Sequence, residues 1–193
     1  MWPGSVSANA KNLYSRIKIF IMTIGKNSVV SLGYTLKTRT GLSLEEKQVE
    51  KTDASHPFVF LYGAGMLLPD FEKNLSGKKQ GDSFDFFIPA DKGYGLKNDK
   101  YVMNIPIDSF KSPDGTLDLN EIRVGNMLTM NDNQGNQLQG KILEVTAAHV
   151  RMDFNHPLAG HELHFTGEVI SVRPATSEEL SHGHVHGPGG HHH

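Results

Sequence analysis

One uninterrupted apolar segment, residues 57–69, constrains the fold of this chain more strongly than any other part of the sequence. Aromatic residues alternate with aliphatic ones over residues 58–62, which is the period of a β-strand. Two glycines and an alanine at residues 63–65 then provide a turn. Pro69 is tolerated only in the first turn of a helix, and Gly77 is well suited to end one. The segment therefore predicts a strand, a Gly-rich turn and a helix of about two to three turns.

The same segment also indicates an apolar basin. A strand, turn and helix in this order would bring Phe58, Leu67, Leu68 and Phe71 around one spot, and a loop at residues 91–95 adds Tyr94. A dry basin with one hydroxyl on its rim suits a neutral ring, such as a prolyl side chain, better than a phosphate or a sugar. Aromatic stripes are otherwise typical of protein cores, and four residues are interpreted as core: Phe60, Phe84, Phe86 and Ile88.

Further segments alternate with the period of a strand. Residues 29–37 place apolar side chains on one face and polar ones on the other, which predicts a half-buried strand. Residues 84–88 and 163–172 predict two more strands. Residues 58–62 are apolar on both faces, which favours a central position in the sheet.

Composition excludes several classes of function. A formal charge of −2 over 193 residues offers no basic surface to nucleic acid. The absence of cysteine excludes disulfides and thiol catalysis, and it fits a reducing compartment. No apolar run reaches the roughly 18 residues that a membrane-spanning helix needs.

The N-terminal residues lack the order of a secretion signal, because the small residues precede the basic ones. Residues 1–24 are therefore expected to be a disordered extension, or the true start lies at Met22. A short amphipathic helix is the other alternative.

The pattern of apolar and polar residues changes after about residue 100. Residues 127–130 and 139–145 flank a polar, Gly-containing turn and predict a hairpin. Residues 150–154 alternate as a further strand. Residues 100–153 are therefore expected to form a small all-β unit. A unit of about fifty residues buries only part of its apolar surface, so some of its apolar side chains are expected to stay exposed.

The end of the chain combines a predicted helix with a run of histidines. Residues 176–179 have the spacing of a capping box, which predicts a short helix. In an extended chain, alternate histidines project from the same side, and imidazole suits Ni, Cu or Zn. The candidate metal ligands are His182, His184, His186, His191, His192 and His193, of which the last three are also consistent with an engineered tag.

With these residues in order, the chain resembles the FKBP-type peptidyl-prolyl isomerases, and within that family the SlyD type, over about residues 26–186. The β unit lies where the family has its flap, Asn-His-Pro-Leu-Ala-Gly at residues 155–160 follows it, and a His-rich tail ends the chain. The spaced pocket set consists of Tyr34, Pro57-Phe58, Leu67-Leu68, Phe71-Glu72 and Tyr94-Gly95.

The resemblance implies an α+β fold in which an antiparallel sheet wraps around one short helix, with a small all-β domain inserted in the flap. Residues 25–99 and 154–174 would form the isomerase domain. Residues 100–153 would form an inserted chaperone domain that binds unfolded chains, and residues 175–193 a short helix with a metal-binding tail. The tail would hold Ni(II), or Zn or Cu, without a role in isomerisation, which needs no cofactor.

The resemblance also implies pocket roles. Leu67 and Leu68 match a pair whose first backbone N–H holds a substrate carbonyl, and Tyr94 matches a tyrosine of the rim. Glu45 falls at the family's pocket aspartate, and Leu44 replaces the aromatic residue before it, which widens that wall. The expected catalytic residues are Tyr34, Glu45, Phe58, Leu67, Leu68, Phe71, Tyr94 and Phe165.

The expected partners are unfolded or proline-containing polypeptides and, for the tail, hydrogenase maturation proteins. We expect a cytoplasmic monomer that binds neither nucleic acid nor membrane. Two alternatives stay open. The first, which Leu44 and Glu45 leave open, is a client-binding chaperone that keeps the basin but isomerises poorly. The second is a nickel storage or delivery protein.

Overall fold

The computed structural model describes residues 22–41, 43–112, 114–118, 120–132 and 134–185. Most of the expected N-terminal extension lies outside these residues, as do His186 and His191, His192 and His193. The elements in chain order are β1 (Ser28–Thr40), β2 (Lys47–Lys51), β3 (Phe58–Leu61), α1 (Pro69–Leu75), β4 (Ser83–Ile88), β5 (Val102–Pro106), β6 (Met127–Asn131), β7 (Gln137–Val145), β8 (His149–Asp153), β9 (His161–Pro174) and α2 (Ser177–His182). Short 3-10 turns lie at Ala90–Lys92, Asp99–Tyr101 and Ile107–Phe110.

The first sheet is antiparallel, with the strand order β2-β1-β9-β4, and β3 also pairs with β1. The predicted alternation of β1 is confirmed, because Val30, Leu32, Tyr34 and Leu36 are all buried. A Cβ on Gly167 of β9 would lie 2.2 Å from the carbonyl oxygen of Gly33. Glycine at this position therefore allows the two longest strands to approach closely.

The predicted central position of residues 58–62 is wrong. The strand β3 hydrogen-bonds on one side, to β1, whereas β1 and β9 are the central strands. Its apolar character has another cause. Phe60 and Leu61 are buried in the core, and Phe58 faces the pocket described below.

The helix α1 packs on one face of this sheet and buries Phe71 and Leu75. Pro69 occupies its first turn, and Gly77 follows its end with a φ of 77°. Both positions agree with the sequence prediction. The helix has seven residues, so its stability comes from packing rather than from its own length.

The core of the first sheet begins earlier than expected. Ile24 is buried, and its backbone exchanges hydrogen bonds with Lys78 and Gly77 beyond the end of α1. Thr23 forms a β-bridge to Lys79. Thr23 and Ile24 therefore belong to the fold and not to the predicted extension.

The second sheet has the order β5-β8-β7-β6 and buries its own apolar cluster of Ile122, Ile142, Val150 and Met152. The predicted hairpin is confirmed as β6 and β7. Two antiparallel sheets with few helices confirm the predicted α+β class. The assignment of residues 100–153 as an inserted domain stays a prediction.

The predicted capping box of α2 is present. The Thr176 hydroxyl accepts the Glu179 N–H, and the Glu179 carboxylate accepts the Thr176 N–H. Arg173 donates two hydrogen bonds to the same buried carboxylate. These bonds, with those from Thr176, lower the pKa of Glu179 to about 2 against the opposing effect of burial. None of the described helices has the length and apolar character that crossing a membrane requires.

Candidate active site

A cavity of about 530 Å³ lies between α1 and the first sheet. Its walls are mostly apolar, and its polar groups are the Glu50 carboxylate and two tyrosine hydroxyls. The lining residues are Tyr34, Leu36, Glu50, Phe58, Met66, Leu67, Leu68, Pro69, Phe71, Tyr94 and Phe165. Seven of the eight expected catalytic residues are therefore brought together, and the exception is Glu45.

Packed aromatic rings form the base of the cavity. The rings of Phe71 and Phe165 meet edge-on with centroids 4.8 Å apart, and Tyr34 lies 5.8 Å from Phe165. Phe165 lies opposite Leu36 of β1 and Phe86 of β4, so two neighbouring strands hold it in place. Because these rings are buried against the core, the base of the cavity is apolar and has a fixed shape.

The loop from β3 to α1 forms the wall beside the aromatic base. Gly63 and Gly65 have φ values of 81° and 77°, which other residues adopt only at a cost in strain. The Gly63 N–H donates to Glu72 of α1 at 2.9 Å, so the helix holds the loop. Among the described residues, no hydrogen bond uses the N–H of Leu67 or of Leu68. These groups stay available to a ligand in the cavity.

Two tyrosines define the polar edge. The Tyr34 hydroxyl donates to the Glu50 carboxylate at 2.8 Å, and burial together with this bond raises the pKa of Tyr34. Burial, and then the charge of Glu50, raises the pKa of Tyr94. Both hydroxyls are therefore protonated donors at neutral pH. Within the described part of the chain, the Tyr94 hydroxyl forms no hydrogen bond, so it can donate to a ligand.

The sequence of this cavity agrees with known proteins. A family model of FKBP-type peptidyl-prolyl cis-trans isomerases matches residues 22–109. An FKBP-type peptidyl-prolyl cis-trans isomerase SlyD from Yersinia pestis is 41% identical over 166 residues, which cover 86% of this chain and 79% of that protein. This chain belongs to the SlyD group of FKBP-type peptidyl-prolyl cis-trans isomerases.

Other relatives give the same result. SlyD proteins from Haemophilus influenzae and from Escherichia coli K12 are each 38% identical over 166 residues, which cover 86% of this chain. The shared region covers 81% of the first protein and 79% of the second. The chain is therefore a peptidyl-prolyl cis-trans isomerase, and the aromatic cavity is its candidate active site.

The carboxylate of this isomerase's pocket is Glu50, and the predicted position of Glu45 is wrong. Glu45 is exposed in the segment before β2, and Leu44, expected to form a wall, is 87% exposed. Glu50 lies opposite Leu36 in the register of β1 and β2, so the two side chains share the face that lines the cavity. The sequence Lys-Gln-Val-Glu-Lys of β2 has no apolar alternation, so its pattern does not predict a strand.

Besides Glu50, three lining residues were not predicted from the sequence. Leu36 was assigned to the strand face but not to the cavity, and Pro69 was interpreted only as the start of the helix. Met66 is 61% exposed at the mouth of the cavity. The unbroken apolar run through residues 66–69 was the signal that could have identified the last two.

The two described tail histidines, His182 and His184, are not among the residues that line the isomerase pocket. His182 lies in the last turn of α2 rather than in an extended segment, and the left-handed Gly183 separates it from His184. Their rings face each other with centroids 5.8 Å apart. Among the described residues, no group of three or more potential ligands is arranged to hold a metal ion.

Proposed function

We propose that the cavity binds the prolyl ring of an X–Pro bond and lowers the barrier to its rotation by keeping the amide out of water. The enclosed aromatic base, with unused donors at its mouth, is the observation that carries this proposal. Phe58, Leu68, Phe71 and Phe165 would surround the ring.

The barrier to be lowered is roughly 18–20 kcal/mol, because a twisted amide loses its resonance. The twisted form carries less charge on oxygen than the planar form. Removal from water therefore penalises the planar ground state more than the transition state. No nucleophile and no general base enters this mechanism.

Two donors would hold the substrate backbone while the bond rotates. The Leu67 N–H would bind the carbonyl of the substrate, and the Tyr94 hydroxyl would bind a second backbone oxygen. Glu50 would act indirectly, because it accepts the Tyr34 hydrogen bond and keeps that ring in the wall. These contacts position the substrate, and the apolar base provides the acceleration.

A pH profile of kcat/KM on a proline-containing tetrapeptide tests this mechanism. No group in the mechanism donates or accepts a proton, and both tyrosines stay protonated, so the profile should be flat between about pH 7 and 9. Tyr94→Phe should keep an appreciable part of the activity. A bell-shaped profile, together with near-complete loss in Tyr94→Phe, would instead indicate proton transfer.

We further propose that the second sheet binds unfolded clients. Several large apolar side chains in this part of the chain are exposed: Tyr101, Met103, Val124, Met127, Leu138 and Leu143. Exposed apolar surface of this extent marks interaction sites, and methionine adapts to irregular partners. A client held there would present its prolines to the cavity at a raised local concentration. Proline-limited refolding of a protein separates this function from a chaperone without catalysis.

A second candidate function is metal binding by the tail, with delivery to hydrogenase maturation proteins. The facing rings of His182 and His184 favour it, since two imidazoles can contribute to one site for Ni(II), Zn or Cu. Nickel titration of the chain with and without residues 181–193 tests this function. Equal binding by both forms would rule out the tail as the site.

A further inference from the structure

Two rings stack at the mouth of the active site. Tyr94 lies on the loop that leads away from the first sheet, and His156 lies on the segment that returns to it from the second sheet. Their ring centroids are 3.9 Å apart, and their planes differ by 2°. This parallel contact covers one face of a tyrosine that is still 40% exposed.

The His156 ring is fixed by its own turn and by its neighbour. Its Nδ1 accepts the Leu158 N–H at 3.1 Å, and its carbonyl accepts the Ala159 N–H at 2.8 Å. The preceding Asn155 pairs with the backbone of Asn98, accepting from its N–H at 2.9 Å and donating to its carbonyl at 3.1 Å. The two connecting segments are thereby joined directly beside the stacked rings.

The surroundings of His156 keep the imidazole neutral. Nδ1 is an acceptor, so the proton of the neutral ring is on Nε2. Burial lowers the pKa of His156. Among the described residues, Tyr94 is the titratable side chain in contact with the ring, and the Lys97–Asp153 ion pair lies on the two connecting segments. A neutral ring can keep both the stack and the bond from Leu158.

We propose that His156 is a positioning residue for isomerisation, whose ring orients Tyr94 at the mouth of the cavity. This inference rests on the proposed role of Tyr94 in binding the substrate. It also means that the segment leaving the second sheet contributes directly to the active site. A purely local role, in which His156 only closes its own turn, would require Nδ1 but not the stacked ring.

Two variants separate the effect of the stacked ring from that of the hydrogen bond in the turn. His156→Phe keeps a planar ring and loses the acceptor for Leu158, whereas His156→Asn keeps an acceptor and loses the ring. His161→Asn is the matched control, because His161 begins β9 directly after the return segment and does not line the cavity. With a proline-containing tetrapeptide, we expect His156→Asn to lower kcat/KM by about two- to tenfold, mainly through KM. We expect His156→Phe and the control to stay near wild type.

A double variant keeps the test decisive if both single changes reduce activity. Added to Tyr94→Ala, His156→Asn should cause no further loss, because the ring acts through Tyr94. Additive losses of kcat/KM in the double variant would overturn the proposal. It would also be overturned if His156→Asn kept the wild-type kcat/KM while Tyr94→Ala lost activity. If Tyr94→Ala itself kept the wild-type rate, the proposed role of Tyr94 would fail together with this inference. Thermal melting of each variant separates loss of fold from loss of position.

The pH profile provides an independent readout. Protonation would make Nδ1 a donor facing the Leu158 N–H and would displace the ring. The wild-type kcat/KM should therefore fall at pH values below the ordinary His value of 6.5. His156→Phe should remain flat over the same range. The same acid fall in both proteins would contradict the proposal.

Discussion

The two sheets use apolar side chains in opposite ways. The first sheet encloses them around α1, where Phe71 and Phe165 are buried and shape the cavity. The second sheet buries a smaller cluster around Ile142 and Met152 and leaves others, among them Met127, exposed. A reaction that depends on a dry site needs fixed walls, whereas capture of varied unfolded chains needs open and adaptable surface. The first arrangement fits the isomerase activity of the cavity, and the second fits the proposed binding of unfolded clients.

The largest difference between the sheets should come from truncating one core residue in each. Phe165→Ala removes the ring beside Phe71 and opens the cavity to water, so kcat/KM on a tetrapeptide should fall by roughly tenfold or more. Met152→Ala should destabilise the second sheet but leave the peptide rate near wild type. Kinetics below the melting temperature of each variant check this. Equal loss of activity in both variants would mean that the cavity is not the separate site of the reaction.

A smaller effect should distinguish the two glutamates. Glu50→Gln replaces the charged acceptor of the Tyr34 hydrogen bond with a neutral one. This change should lower peptide kcat/KM by about three- to tenfold, which corresponds to roughly 0.6–1.4 kcal/mol. Glu45→Gln removes the same charge from an exposed position and should have no effect. Comparing the activities of the two variants shows which glutamate acts at the edge of the cavity. A greater loss in Glu45→Gln would restore the sequence-based assignment.

The last pair of variants should leave the peptide rate unchanged. It concerns the stability of the fold at a site away from the cavity and the second sheet. The folded-state pKa of Glu179, about 2, lies below its ordinary value of 4.5. Its ion pair with Arg173 therefore stabilises the fold above pH 4.5, and this contribution is lost as the pH falls toward 2. Glu179→Gln should lower the free energy of unfolding by roughly 1–2 kcal/mol at pH 7 and by less near pH 3.

The exposed neighbour Glu178 provides the control for this change. Urea unfolding of Glu178→Gln should match wild type at both pH values, and neither variant should change the peptide rate. A pH-independent difference for Glu179→Gln would show that the carboxylate charge is not what stabilises α2.

The elements with strong periodicity were predictable from the sequence. The alternation of β1, the position of Pro69 in α1 and the spacing of Thr176 and Glu179 each reflect a local physical rule, and each prediction is confirmed. The apolar run at residues 57–69 likewise identified most of the cavity.

The features that depend on pairing between distant strands were not predictable. A strand with an apolar face toward a ligand has the same pattern as a central strand, so β3 was misplaced. The register that sets Glu50 opposite Leu36 leaves no periodic signal in a charged strand. The contact between Tyr94 and His156 joins a residue that precedes the second sheet in the chain to one that follows it. No local sequence pattern marks such a contact.

The proposal that the first sheet carries catalysis and the second binds clients is tested most directly by deleting the second sheet. Residues 100–153 would be replaced by a short Gly-containing linker, and kcat/KM would be measured for a tetrapeptide and for proline-limited refolding of a protein. We predict a peptide rate within about threefold of wild type, because the cavity remains, and refolding catalysis reduced by roughly a hundredfold, because the client is no longer held nearby. Unchanged refolding, or an equal loss for both substrates, would contradict the account.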